Sequence, residues 1–165
     1  MRDPDLFGLR GRSCAAALAM FLSAGNPAFA SDDEMPTDVR QHPAVVAADW
    51  DATETIIIEL GDHHYEPDEL TLELGKPYRL VLRNIGAVAH DMVGGSFFDE
   101  HVIALRMVNS RVGRVMADHI NSVFVRQKNE AELWLVPIRD GEYTFYCSLP
   151  GHRDGGMEGV IRISR

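Results

Sequence analysis

Residues 65–86, YEPDELTLELGKPYRLVLRNIG, alternate apolar and polar side chains with a period of two. Leu70, Leu72 and Leu74 fall on one face, Gly75-Lys76-Pro77 turns the chain, and Leu80 and Leu82 resume the pattern. Successive side chains of a strand point to opposite faces, so this period commits the segment to a half-buried sheet. Similar short runs are TETIIIEL (53–60), HDMVG (90–94), SVFVRQ (122–127), AELWLVPI (131–138), EYTFYC (142–147) and GVIRIS (159–164). Gly61-Asp62 and Asp140-Gly141 mark tight turns. About seven to eight strands separated by turns predict an all-β antiparallel sandwich or barrel. Residues 97–120 break the rhythm. Phe98, Val102, Leu105, Val108 (or Val112), Val115 and His119 recur at three- and four-residue steps, which predicts an amphipathic helix inserted among the strands.

The N-terminal residues have another character. Arg2, Arg10 and Arg12 precede the apolar run SCAAALAMFLSAG, and Ala28-x-Ala30 offers the small-residue pattern of a cleavage site. Residues 1–30 therefore read as a signal peptide cut after Ala30, and the product is expected in the periplasm. Gly11 separates Arg10 from Arg12, which favours general secretion over a twin-arginine route, and the surroundings of Cys14 do not suit lipid modification. Residues 31–52 are polar, carry Pro36 and Pro43, and read as an extension or linker with a helical turn near Pro43 to Asp49. Residues 53–165 then form one domain, in which no apolar run is long enough to span a bilayer.

Removing three arginines and two aspartates with residues 1–30 takes the formal charge from −9 to −10. That balance argues against nucleic acid and anionic membranes as partners and suits a redox partner with a basic docking patch. It also leaves Cys147 as the single cysteine in an oxidising compartment, where a lone thiol is either buried and inert or ligated.

Cys147 lies in YCSLPGHRDGGMEG, followed by His152 and Met157 in the spacing C-x4-H-x4-M. Thiolate, imidazole and thioether are soft or borderline donors. Two histidines and a cysteine with a weak axial methionine make the electron-transfer copper site. The glycines at 151, 155, 156 and 159 let one loop turn tightly enough to present three donors. A second imidazole must come from elsewhere, and His90, following the strand and turn LRNIG, is the best candidate.

At this point the sequence resembles the cupredoxin family, which includes plastocyanin, azurin, auracyanin and rusticyanin. ELTLELGKPYRLVLRNIGAVAHDM followed by DGEYTFYCSLPGHRDGGMEGVIRIS carries the likeness, over residues 53–96 and 120–165. The resemblance implies a Greek-key β-sandwich holding one copper ion that cycles between Cu(I) and Cu(II). The implied ligands are His90, Cys147, His152 and axial Met157, with Asn84 and Asp91 fixing the loops around them. Two departures stand out. Asp91 replaces the asparagine that many members carry after the first histidine, and Ala89 replaces the glycine whose carbonyl serves as an extra ligand in azurin.

The implied function is periplasmic one-electron transfer between redox partners. His152 would be the electron exit, inside an apolar rim of Leu149, Pro150 and Met157. Copper delivery or tolerance is the alternative. Catalysis is not expected, because the chain lacks H-x-H pairs and a second domain. His42, His63, His64, His101, His119, Met107 and Met116 are the residues from which a second copper site would have to be drawn. Met92, Trp50 and Trp134 read as core residues, and Tyr143 as a corner tyrosine bonding nearby backbone.

Overall fold

Two sheets carry the molecule in a computed structural model that describes residues 41–115 and 119–165. The strands are β1 (Glu54–Gly61), β2 (His64–Glu66), β3 (Glu69–Glu73), β4 (Tyr78–Asn84), β5 (His90–Val93), β6 (Ile103–Ser110), β7 (Gly113–Val115), β8 (Ser122–Val125), β9 (Glu130–Pro137), β10 (Gly141–Tyr146) and β11 (Glu158–Ser164). One sheet has the order β2-β1-β4-β9-β6-β7, the other β3-β11-β10-β5-β8. The predicted signal peptide lies outside the described residues.

The alternating segments form strands as their periodicity requires. Leu70 and Leu72 are buried while Glu69, Thr71 and Glu73 are exposed. Tyr143, Phe145 and Cys147 point inward from one face of the β10 segment, and Phe145 meets Tyr65 edge-on with ring centroids 4.9 Å apart. β4 lies between β1 and β9 and is buried on both faces through Tyr78, Leu80, Val81 and Leu82. The Tyr143 hydroxyl donates to the carbonyls of Arg139 and Asp140, tying down the corner before β10. Met92 is fully buried in the main core, as its place on β5 predicts.

Two sequence expectations are corrected. The sandwich is mixed rather than antiparallel, because β1 pairs in parallel with β4 and β11 with β3. Periodicity within a strand carries no information about the direction of its neighbour. The second correction is the insert, which is not an amphipathic helix among the described residues. A short 3₁₀ turn, Gly95–Phe98, buries Phe97 and Phe98, and the chain then runs into the antiparallel hairpin β6–β7. The cause of the misleading period is a register shift between Leu105 and Met107 against β9. The extra residue, Arg106, turns the spacing of the core-facing Leu105 and Val108 from two to three.

The segment before β1 is packed on the sheet. Helix α1 (Pro43–Ala47) starts from a His42 cap whose Nδ1 accepts from the Ala44 N–H, and it buries Val45 against Ala104 and Val136. Trp50 and Trp134 lie 6.2 Å apart beside this small second cluster. No described helix is long and apolar enough to cross a membrane.

Candidate metal centre

The site gathers at the end of the sandwich where β5 begins and β10 ends. His90 is the first residue of β5, and Cys147 directly follows β10. His152 and Met157 lie on the loop from β10 to β11. Its turn requires a left-handed backbone at Gly151, where φ is +80°. Internal hydrogen bonds hold this loop. The His152 N–H donates to the Leu149 carbonyl (3.1 Å), the Met157 N–H to the His152 carbonyl (2.9 Å), and the Cys147 N–H to the Met157 carbonyl (3.0 Å).

Donor atoms of His90, Cys147 and His152 all lie within 4.8 Å of one another. This is the only cluster of three or more His, Cys, Asp or Glu side chains able to hold a metal among the described residues. The Cys147 Sγ is 3.7 Å from His152 Nδ1, and the His90 and His152 rings are 5.0 Å apart. His90 and Cys147 are fully buried and His152 is partly exposed. Met157 is also fully buried beside them in the chain fold, so it cannot contribute to a surface rim. The expected rim is therefore reduced to partly buried Leu149 and exposed Pro150.

The surrounding polar groups fix both supports. Asp91 accepts from the Ser148 N–H (2.7 Å) and from the Ser148 hydroxyl (2.6 Å), clamping the residue after Cys147 to β5. The Tyr65 hydroxyl donates to the Asp91 carbonyl at 2.6 Å. Asn84 donates to the carbonyls of Val88 and Val125 and accepts from the Gly86 N–H, each at 2.9 Å, which closes the turn that delivers His90.

Burial sets the electrostatics. It lowers the pKa of His90, opposed by a hydrogen bond to Asp62 and reinforced by the nearby His152 and His63. It raises that of the Cys147 thiol, against the backbone amides of Asp91 and Leu149. A neutral imidazole is ready to ligate, whereas the buried thiol needs a cation to hold it as thiolate. His90 Nδ1 is buried with no hydrogen-bond partner, although buried polar atoms are ordinarily satisfied. A cation among these donors would resolve both features, and a thiolate with two imidazoles and a nearby thioether suits copper.

Two nearby residues were not expected at this site: Asp62 was not singled out by the sequence, and His63 was read only as a candidate for a second copper site. Asp62 Oδ1 lies 3.1 Å from His90 Nε2, and the His63 ring lies 4.6 Å from that of His152. Both sit on the β1–β2 turn, and Gly61-Asp62 was legible only as a turn signal. The other candidates for a second metal are dispersed. His64 lies against the Asp62 carbonyl (3.3 Å), His101 beside Glu100 (3.9 Å), and His119 is exposed. Met107 is buried in β6, while Met116 lies outside the described residues.

Fold and site together define the class: the two-sheet sandwich is the cupredoxin fold, and its His90-Cys147-His152 cluster fits a type 1 copper site. Among particular proteins, it is similar to the copper-resistant cuproprotein CopI of Pseudomonas aeruginosa. Identity is 25% over 139 residues, covering 68% of this chain and 77% of that protein. No family model matches. Among solved structures, a multi-copper oxidase from Pseudomonas thermotolerans superposes with a TM-score of 0.56 at 17% identity, over 71% of this chain and 31% of the oxidase. Auracyanin from Roseiflexus castenholzii is 22% identical over 67% of this chain and 97% of its own, with a TM-score of 0.48.

Proposed function

We propose that His90, Cys147, His152 and Met157 would hold one copper ion in this protein, which carries single electrons between redox partners in the periplasm. The observation that carries this reading is the convergence of two imidazoles and the lone thiol within 4.8 Å, with His90 Nδ1 buried and unpartnered. Copper bound there supplies a one-electron Cu(I)/Cu(II) couple. The protein's part is to hold the donors still. β5 and β10 anchor His90 and Cys147, the Asp91–Ser148 clamp joins the two, and the loop's backbone bonds fix His152 and Met157. A donor set held in this way need not rearrange when the charge changes, which keeps the barrier to electron transfer low. The partly exposed His152, next to Leu149 and Pro150, is the exit, presented on a small patch suited to brief encounters. We read the chain as a carrier rather than an enzyme. Turnover of oxygen or nitrite by the copper-loaded protein would overturn that reading.

Copper handling is the second reading, favoured by the similarity to CopI, a protein named for copper resistance. Adding Cu(II) to the purified protein tests the shared premise: an intense thiolate-to-copper absorption is expected, and its persistence in Cys147→Ser would refute the site. Competition with a Cu(I) chelator then separates the two readings. A carrier of electrons retains its reduced ion, whereas a copper-delivery protein surrenders it readily.

A further inference from the structure

The His90 imidazole has two ring nitrogens and makes very different use of them. Nε2 faces the Asp62 carboxylate at 3.1 Å, while Nδ1 is buried without a partner. A neutral imidazole carries its proton on one nitrogen only, and a carboxylate is acceptor-only, so Asp62 selects the tautomer with the proton on Nε2. Nδ1 is then left as a bare lone pair facing no protein donor.

The pair is built into the backbone. Both Asp62 oxygens accept from the Ala87 N–H, at 3.0 and 3.2 Å. The Leu60 carbonyl accepts from the N–H groups of Ile85 and Gly86, joining the end of β1 to the turn that precedes His90. Gly86 is the residue against which the pair rests. A Cβ there would lie 2.5 Å from His90 Nε2 and 2.6 Å from Asp62 Oδ1, so only glycine leaves room for this contact.

We propose that Asp62 is a positioning residue for the metal centre: it fixes His90 as the Nε2–H tautomer and so dedicates Nδ1 to the metal. This inference rests on the copper reading above. The Asp62 side chain is 45% exposed, so the ion pair as such adds little to stability. Its effect falls on the ligand instead. A carboxylate behind an imidazole makes the other nitrogen a better donor and orients the ring, and losing such a partner typically costs about 10- to 100-fold in metal affinity. The negative charge also favours Cu(II) over Cu(I), so the reduction potential should be lower than with a neutral acceptor.

The test uses the full protein with Asp62→Ala and Asp62→Asn. Nitrogen-15 NMR of the metal-free protein at neutral pH should show one His90 tautomer, protonated at Nε2, in wild type and a mixture in Asp62→Ala. Cu(II) competition should show Asp62→Ala binding about 10- to 100-fold more weakly, with little change in Tm. Asp62→Asn keeps an acceptor, so its affinity should stay near wild type while its potential rises. Absence of the thiolate-to-copper band from wild type overturns the copper reading. A His90 tautomer unchanged in Asp62→Ala overturns the role of Asp62, whether or not that band is present. Should Asp62→Ala not fold, an Asp62→Asn potential equal to wild type does the same.

Discussion

Two clusters of polar and aromatic side chains sit on this sandwich, and they are satisfied to very different degrees. On the outer side of the six-stranded sheet, Glu132 accepts from the Arg79 guanidinium, from Trp134 Nε1 (3.1 Å) and from Asn109 Nδ2 (3.4 Å). The Arg106 guanidinium lies 4.4 Å from the Trp50 ring, whose Nε1 donates to the Val45 carbonyl at 2.9 Å. Arg79 Nε lacks a partner, but its guanidinium charge is already spent on Glu132. At the other cluster His90 Nδ1 is unpartnered and the Cys147 thiol is disfavoured as thiolate by burial. A polar cluster whose charges are paired within itself contributes stability, and one that gathers a bare imidazole nitrogen and a thiol disfavoured as thiolate is built for something that is added.

The largest expected effect breaks the symmetry between them. Copper binding the folded state but not the unfolded chain stabilises it by about 4 kcal/mol at a thousandfold excess over Kd. For a domain of this size that corresponds to a rise in Tm of roughly 10–20 °C. Scanning calorimetry with and without Cu(II) checks this, and the rise should be mostly lost in Cys147→Ser. A rise of equal size in that variant would move the binding elsewhere.

Disturbing the complete cluster should do the reverse. Glu132→Ala leaves the half-buried Arg79 guanidinium and the Trp134 N–H without their acceptor, at a cost of about 1–3 kcal/mol. Urea denaturation measures the loss. The copper absorption of the same variant should be unchanged, since Glu132 belongs to the other sheet face.

The two clusters also differ in how far the sequence revealed them. Cys147, His152 and Met157 are close along the chain, so their shared loop was visible as spacing. His90 was reached by its position after a strand and by the family resemblance. Asp62 was not, because its contact with His90 spans 28 residues and depends on the parallel pairing of β1 with β4. Period-two burial was legible wherever a strand ran without a fault, as in Leu70–Leu72 and Tyr143–Phe145. At Arg106 the bulge spaced core contacts three apart, and the strand looked like a helix turn. That same bulged residue is the one that reaches the tryptophan pair, so the satisfied cluster was hidden by the irregularity that helps to form it.

A smaller effect sharpens the metal side. Asp91→Asn removes a negative charge from the clamp on the cysteine loop while keeping an acceptor for the Ser148 N–H. The Ser148 hydroxyl, which now donates to Asp91, can rotate to accept from the new amide. The fold and spectrum should therefore survive. Loss of one charge at a partly screened distance is worth on the order of 1–2 kcal/mol, so the potential should rise by tens of millivolts. Protein-film voltammetry measures it, and a fall in potential would show that the clamp acts by geometry alone.

The smallest effect belongs to the complete cluster and is read through pH. Burial alone would raise the Glu132 pKa, but hydrogen bonds from Arg79, Trp134 and Asn109 outweigh it and hold the carboxyl below its usual 4.5. The unfolded chain therefore binds more protons than the folded one in the window below pH 4.5. The stabilisation is present above that pH and is lost as pH falls through the lower, folded-state value. Urea midpoints of the metal-free protein between pH 6 and pH 3 should decline less steeply in Glu132→Gln, which cannot ionise, than in wild type. Equal slopes would mean that the network's hydrogen bonds do not distinguish carboxylate from carboxylic acid, and that its completeness resides in shape rather than charge.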